Sequence, residues 1–216
     1  MVLANVITLS RLPLLIAVLG ILLYSSSWSW QLLGLVLLGT LFLMDWMDGA
    51  VARQRRQASD LGAVLDIALD RTVENVLWIA FMYLGLVAFW VPVIFLVRSF
   101  LVDGIRGVAL TWGKPGFSMM HTPWGRFLVA SRFMRGFYGL AKVVTFAALW
   151  LTHALALANP QYLASLKPLS QSLVWMTVAL CLLRGIPVLL DGRRPPRHPH
   201  AGIEPLCQRG HQPLRA

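Results

Sequence analysis

Apolar positions dominate this chain in long blocks, and most polar residues fall between them. Six such blocks cover residues 6–24, 30–47, 61–86, 89–112, 127–157 and 169–190. Each is close to or above the roughly 20 residues that cross a hydrocarbon core as a helix. The pattern predicts an all-α integral membrane protein with six transmembrane helices. Residues 54–59 are hydrophilic and read as a short turn, with Ser59 or Asp60 able to cap the following helix. Residues 113–124, which hold Gly113, Lys114, Pro115 and Pro123, read as a loop, and so do residues 160–168. Residues 1–191 then form one six-helix domain, and residues 192–216, rich in proline and basic side chains, are expected to be a disordered tail.

Charge gives the layout a direction. Arg53, Arg55, Arg56, Lys114, Arg126, Arg193, Arg194 and Arg197 flank the second and fourth turns and the tail, whereas Lys167 is the one base in the opposite loops. By the positive-inside rule both termini face the cytoplasm, in a multi-pass protein of the cytoplasmic (inner) membrane. With 57% hydrophobic and 13% charged residues, the chain differs from a soluble domain, which carries about 25% charged residues. The net charge of +10 does not indicate a nucleic-acid partner, because the bases sit in short segments beside apolar runs. That placement suits anionic headgroups or phosphorylated substrates. Cys181 and Cys207 lack metal-ligand spacing, and no disulfide is expected between them.

The acidic residues are few and concentrated. Of nine in the chain, six (Asp45, Asp48, Asp60, Asp66, Asp70 and Glu74) fall between residues 45 and 74. On a helix Asp45 and Asp48 share a face at i,i+3, and Asp66 and Asp70 share one at i,i+4. Gly49, Ala52 and Gly62 keep the two helices slender beside them, which allows close approach. Four carboxylates brought together raise one another's pKa, and each aspartate placed mid-span costs about 2.5–3.5 kcal/mol on insertion scales. One or two divalent cations would offset both costs. An all-oxygen donor set favours Mg²⁺ or Mn²⁺, and paired ions of this kind serve phosphoryl chemistry. Ion pairing with Arg53 and Arg71 is the simpler alternative, and it accounts poorly for four aspartates at helical spacing.

The run Asp45-x-x-Asp48-Gly49-x-x-Ala52-Arg53, eight residues, then Gly62-x-x-x-Asp66-x-x-x-Asp70 resembles the signature of the CDP-alcohol phosphotransferase (phosphatidyltransferase) family. Every fixed position is present, and the likeness is firmest over residues 1–112. The resemblance implies transfer of a phosphatidyl group from CDP-diacylglycerol to an alcohol with release of CMP. It implies that Asp45, Asp48, Asp66 and Asp70 hold two metal ions and that Asp70 is the base for the incoming hydroxyl. Gly49, Ala52, Arg53 and Gly62 would contact the cytidine and pyrophosphate. Asn5 and Thr8, with Arg11, are similar to the family's first-helix pattern and join the donor site. A homodimer is expected from the family alone.

The acceptor is read from cations inside apolar runs. Arg98, Arg106, Arg132, Arg135 and Lys142 sit where a charge normally faces a cavity or a partner, so the acceptor is expected to carry its own phosphate. Snorkelling, or pairing with Asp103, is the alternative for any single one. Arg98 and Arg106 resemble the Arg-x7-Arg of the glycerol-phosphate branch, although Ser99 stands where that branch has glutamate. Arg132-x-x-Arg135 resembles the inositol-phosphate branch. Glycerol 3-phosphate is favoured, with inositol phosphate or another alcohol as the alternative. A divalent-cation transporter is the reading from another class, and it would need the aspartates near mid-membrane.

Overall fold

The computed structural model describes residues 3–55, 60–111 and 126–191, all helical apart from short joints, with no strand among them. The helices are α1 (Leu3–Tyr24), α2 (Trp28–Arg55), α3 (Asp60–Tyr83), α4 (Trp90–Thr111), α5 (Arg132–Ala158) and α6 (Gln161–Asp191). A five-residue π-helical turn, Arg126–Ala130, precedes α5. The first four apolar runs thus become four helices, with α2 continuing through the acidic motif to Arg55. Of the turn expected at 54–59, Gln54 and Arg55 are instead the end of α2, and residues 56–59, the loop at 113–124 and the tail at 192–216 lie outside the described residues.

Two segments, Phe133–Ala158 and Gln161–Leu190, are long and apolar enough to cross a membrane, with mean hydropathy 1.7 and 2.1. Ser10–Tyr24 and Trp28–Met44 are shorter apolar stretches. The charges Asp66, Asp70, Arg71 and Glu74 in α3, and Arg98 and Asp103 in α4, dilute the other helices.

The second half departs from the sequence expectation at two joints. The fifth run is not one helix: the π-helical turn ends at Ser131, which has extended backbone (φ −60°, ψ 133°), and α5 starts after it. Val129 of this turn packs with Val102 of α4 and Val188 of α6, so the irregular backbone lies against two helices. The loop expected at 160–168 is instead the start of α6. Asn159 ends α5 by donating its N–H to the Leu155 carbonyl (2.9 Å) and starts α6 by accepting from the Gln161 N–H (3.0 Å). Pro160 then occupies a first-turn position, where its missing donor costs little. Pro168 lies inside the helix at the cost of one backbone bond.

α3 ends where the chain must turn with a left-handed residue. Gly85 has φ 69°, its N–H reaches Met82 O (2.9 Å), and the Leu86 N–H reaches Phe81 O (3.0 Å), which is a Schellman ending. The bundle closes around Phe146 of α5. Its ring lies 4.6 Å from Trp78 and 5.9 Å from Phe81 of α3, and 5.9 Å from Phe42 of α2. Trp78 in turn stacks on Phe95 of α4 at 4.7 Å. Where apolar packing gives no preference over lipid, hydroxyl pairs fix helix pairs. Thr145 bonds Thr177 (2.8 Å) and Thr152 bonds Ser170 (2.6 Å), both between α5 and α6.

A third joint ties the first hairpin to α5. Gln31 donates to Ser25 O (2.7 Å) and Ile21 O (3.2 Å), and the Trp150 indole N–H donates to the Gln31 carbonyl (3.0 Å). Gly34, one turn along α2, leaves room for that indole. A Cβ there would land on the Trp150 ring and 2.7 Å from Ile21 Cγ2. Gly34→Ala is therefore expected to destabilise the protein by about 1–3 kcal/mol through overpacking. Thermal unfolding in detergent checks this, and an unchanged midpoint would refute the close packing.

Candidate active site

α3 carries three carboxylates on one stripe, Asp66, Asp70 and Glu74, each one turn from the next. Their partners come from other helices. Arg11 of α1 donates from Nη2 to Asp70 Oδ1 at 2.9 Å, and its Nη1 lies 3.6 Å from Asp66 Oδ1. Arg11 is 1% exposed, whereas the two aspartate side chains are each 42% exposed. A buried guanidinium thus contacts a pair of carboxylates whose side chains are themselves partly exposed.

One turn further, Glu74 is buried and accepts from Lys142 Nζ of α5 at 2.8 Å and from Arg71 Nη1 at 3.3 Å. Arg71 also donates from Nε to Asp103 Oδ2 of α4 at 3.1 Å. The Tyr138 hydroxyl lies 3.5 Å from Glu74 Oε1. This network joins α3, α4 and α5 through charge-assisted bonds, the stronger class of hydrogen bond.

Between these groups lies a cavity of about 600 Å³. Two carboxylates, Asp70 and Glu74, and six cations, Arg11, Arg71, Arg98, Arg135, Lys142 and Arg184, line it. That excess suits an anionic guest of polyol-phosphate size. Aromatic and small residues complete the wall, including Phe42, Tyr138, Gly136 and Gly139.

Of the expected acceptor residues, Arg98, Arg135 and Lys142 meet at this cavity. Arg106 lies on α4 and Arg132 opens α5, and their side chains are outside the described residues. Asp45, Asp48, Gly49, Ala52 and Arg53 lie on α2, and Asn5 and Thr8 on α1, with their side chains likewise outside the description. Gly62 lies in the first turn of α3, two turns ahead of Asp70.

The structure adds Arg184, Arg71, Glu74 and Tyr138 to the cavity wall. Arg184 had a readable signal: it is the one charged residue between positions 169 and 190, the same criterion that selects Arg98. Its Nη1 donates to the Met134 carbonyl at 2.9 Å. Arg71 and Glu74 resembled an ordinary helical ion pair, and nothing in the sequence marked Tyr138.

Among the described residues, no three acidic, histidine or cysteine side chains gather as a metal site. The chemistry of the described pair still fits a hard cation. Asp66 and Asp70 are half-exposed oxygen donors one turn apart, and each has a second carboxylate oxygen beyond the one facing Arg11.

Comparison with known proteins narrows what such a cavity serves. The model of the CDP-alcohol phosphatidyltransferase family matches residues 1–183. The chain belongs to this family. CDP-alcohol phosphatidyltransferases are in general membrane-bound and dependent on divalent cations, in keeping with the apolar helices and the partly exposed carboxylates. Proteins of Mycobacterium tuberculosis and Mycobacterium bovis, each named as a candidate cardiolipin synthase, are 32% identical over 133 residues. That match takes in 62% of this chain, and the chain spans 61% of the length of those relatives. The CDP-diacylglycerol–glycerol-3-phosphate 3-phosphatidyltransferase of Bacillus subtilis is 24% identical over 194 residues, covering 85% of this chain and 91% of that protein. Within the phosphatidyltransferase match fall all four signature aspartates and Arg98, Arg135 and Lys142, while Arg184 lies one residue beyond it.

Proposed function

We propose that this protein is a membrane phosphatidyltransferase of phospholipid biosynthesis. It moves the phosphatidyl group of CDP-diacylglycerol to the hydroxyl of a phosphorylated polyol, glycerol 3-phosphate being favoured, and releases CMP. The observation that carries the reading is Asp70 on the wall of a cavity with six cations. A proton acceptor and an anion-binding surface meet there, as transfer to a phosphorylated alcohol requires.

Asp70 takes the proton of the acceptor hydroxyl, and the oxygen attacks the phosphorus that bears the diacylglycerol. The bond from that phosphorus to the CMP oxygen breaks, CMP leaves, and the proton stays on the Asp70 carboxyl until solvent takes it. Arg11 holds Asp70 in place through its 2.9 Å bond. Asp45, Asp48, Asp66 and Asp70 would hold the metal, Mg²⁺ or Mn²⁺ and two ions in this reading. When bound, these ions neutralise the pyrophosphate charge as the bond breaks. Gly49, Ala52, Arg53 and Gly62, with Asn5 and Thr8, receive the CDP moiety. Arg98, Arg135 and Lys142, with Arg106 and Arg132, receive the acceptor phosphate. The layout is six spans in the inner membrane, with the site and both termini cytoplasmic and the protein a homodimer. α3 supports this in length: its 24 residues extend about 36 Å, enough to cross despite its charges.

The name of the mycobacterial relatives favours a second reading, in which the acceptor is itself a phospholipid and cardiolipin is the product. One screen separates the two. Purified protein with CDP-diacylglycerol and Mg²⁺ is offered glycerol 3-phosphate, inositol phosphate, inositol, serine or phosphatidylglycerol, and CMP is measured. Release with glycerol 3-phosphate at least tenfold above the uncharged alcohols is expected. Release with phosphatidylglycerol alone would replace the first reading by the second. No release with any alcohol would overturn both.

A further inference from the structure

Three cations from three helices converge on one aromatic ring at the cavity. Lys142 Nζ of α5 lies 4.8 Å from the Tyr138 ring centroid, the Arg184 guanidinium of α6 lies at 5.0 Å, and that of Arg98 of α4 lies at 5.8 Å. All three are within the range at which a ring quadrupole attracts a cation. Tyr138 is only 5% exposed, and Arg98 and Arg184 are buried, so the ring and two of the three cations are largely withdrawn from bulk water. Among the described residues the carboxylate of Glu74 touches the group, through Lys142 at 2.8 Å and the Tyr138 hydroxyl at 3.5 Å.

We propose that Tyr138 is the positioning residue of the acceptor site, its ring gathering Arg98, Lys142 and Arg184 into one cup for a phosphomonoester dianion. The inference rests on the phosphorylated-acceptor reading above and assigns the residue that assembles the cup.

The surroundings of each cation support the assignment. Arg184 donates to the Met134 carbonyl one turn before Tyr138, which fixes its guanidinium along α5. Arg98 crosses α6 at Gly185, where an added Cβ would lie 3.0 Å from its Cγ. The lack of a side chain at 185 therefore lets the Arg98 stem reach the ring. Lys142, one turn after Tyr138, divides its charge between the ring and Glu74. Three cations gathered at one point suit a guest with more than one negative charge. A phosphomonoester carries about −1.5 to −2 at neutral pH, more than the single charge of a phosphodiester.

The test separates a ring that gathers cations from a ring that only fills space. Binding of glycerol 3-phosphate and of inorganic phosphate is measured calorimetrically on the full-length protein in detergent, without CDP-diacylglycerol. The acceptor and donor KM values are measured beside it. Tyr138→Phe, which keeps the ring, is expected to bind within about twofold of the parent. Tyr138→Leu is expected to lose about tenfold in phosphate affinity and to raise the acceptor KM alike, with donor KM unchanged. Phosphate affinity that survives in Tyr138→Leu, or a Phe variant as impaired as Leu, overturns the proposal.

Should the leucine variant not fold, phenylalanines of increasing fluorination at position 138 keep the shape and weaken the quadrupole. Phosphate affinity should then fall stepwise, and a flat series overturns the proposal as well. A parent protein that binds phosphate yet releases no CMP would refute the proposed function and leave the cup standing. One that releases CMP but binds no phosphate would do the reverse.

Discussion

Asp70→Asn is expected to leave a folded protein whose CMP release is lower by about 10²–10⁴-fold, the usual contribution of a positioned general base. The substitution keeps shape and removes basicity. An asparagine Oδ1 can still accept from Arg11 Nη2, which now sits 2.9 Å from the aspartate oxygen. Asp66 also remains 3.6 Å from Arg11. The Asp70 side chain is 42% exposed and Asp66 stays beside the buried Arg11, so loss of the one charge should cost about 1–3 kcal/mol in stability, short of unfolding the protein. The comparison needs CMP measured under saturating CDP-diacylglycerol and acceptor, with the unfolding midpoint recorded for both proteins. Turnover within a few-fold of the parent, with the midpoint preserved, would show that the base lies elsewhere.

Glu74→Ala should act on stability instead. Glu74 is buried and neutralises Lys142 at 2.8 Å and Arg71 at 3.3 Å. Removing one partner of a buried ion pair leaves the other charge uncompensated, and such changes cost about 3–5 kcal/mol. Arg71 retains Asp103 at 3.1 Å, so the penalty falls mainly on Lys142. The double variant Glu74→Ala, Lys142→Met removes both charges and should recover a large part of the loss. A double-mutant cycle on unfolding free energies measures that coupling. Additive effects of the two changes, or an unchanged midpoint for Glu74→Ala alone, would refute the role given to Glu74.

How far the sequence speaks depends on the distance over which a residue's partner lies. Asp66 and Asp70 are one turn apart on a single helix, so their shared face follows from helical geometry alone. Arg98 and Lys142 could be singled out because a charge in an apolar run needs a cavity or a partner. Arg184 satisfies the same condition and could have been named with them. The bond between Arg11 and Asp70 links positions 59 residues apart, and no local pattern specifies it. Tyr138 owes its place to cations brought by α4, α5 and α6, so its sequence neighbours say nothing of its role. The start of α6 is hidden for another reason: residues 160–168, with a proline at each end, read as a loop, while the Asn159–Pro160 start signal outweighs Pro168. Ser131 carries no strong breaker signal, and the π-helical turn before it packs on Val102 and Val188, contacts settled only by the whole bundle.

The Arg11 bridge also bears on how the chain is made. Its guanidinium ends up almost fully buried, and two of its partners, Asp66 and Asp70, lie on α3, the second following it by 59 residues. At about 5–20 residues per second, the ribosome adds that length in roughly 3–12 seconds. During that interval the first helix carries Arg11 without these two carboxylates. The bond that holds Arg11 to Asp70 therefore forms only after α3 has been made, and α1 reaches its final contacts late. When α3 arrives, it brings α1 two counter-ions from 55 and 59 residues further on, so the end of the third helix's synthesis completes the packing of the first.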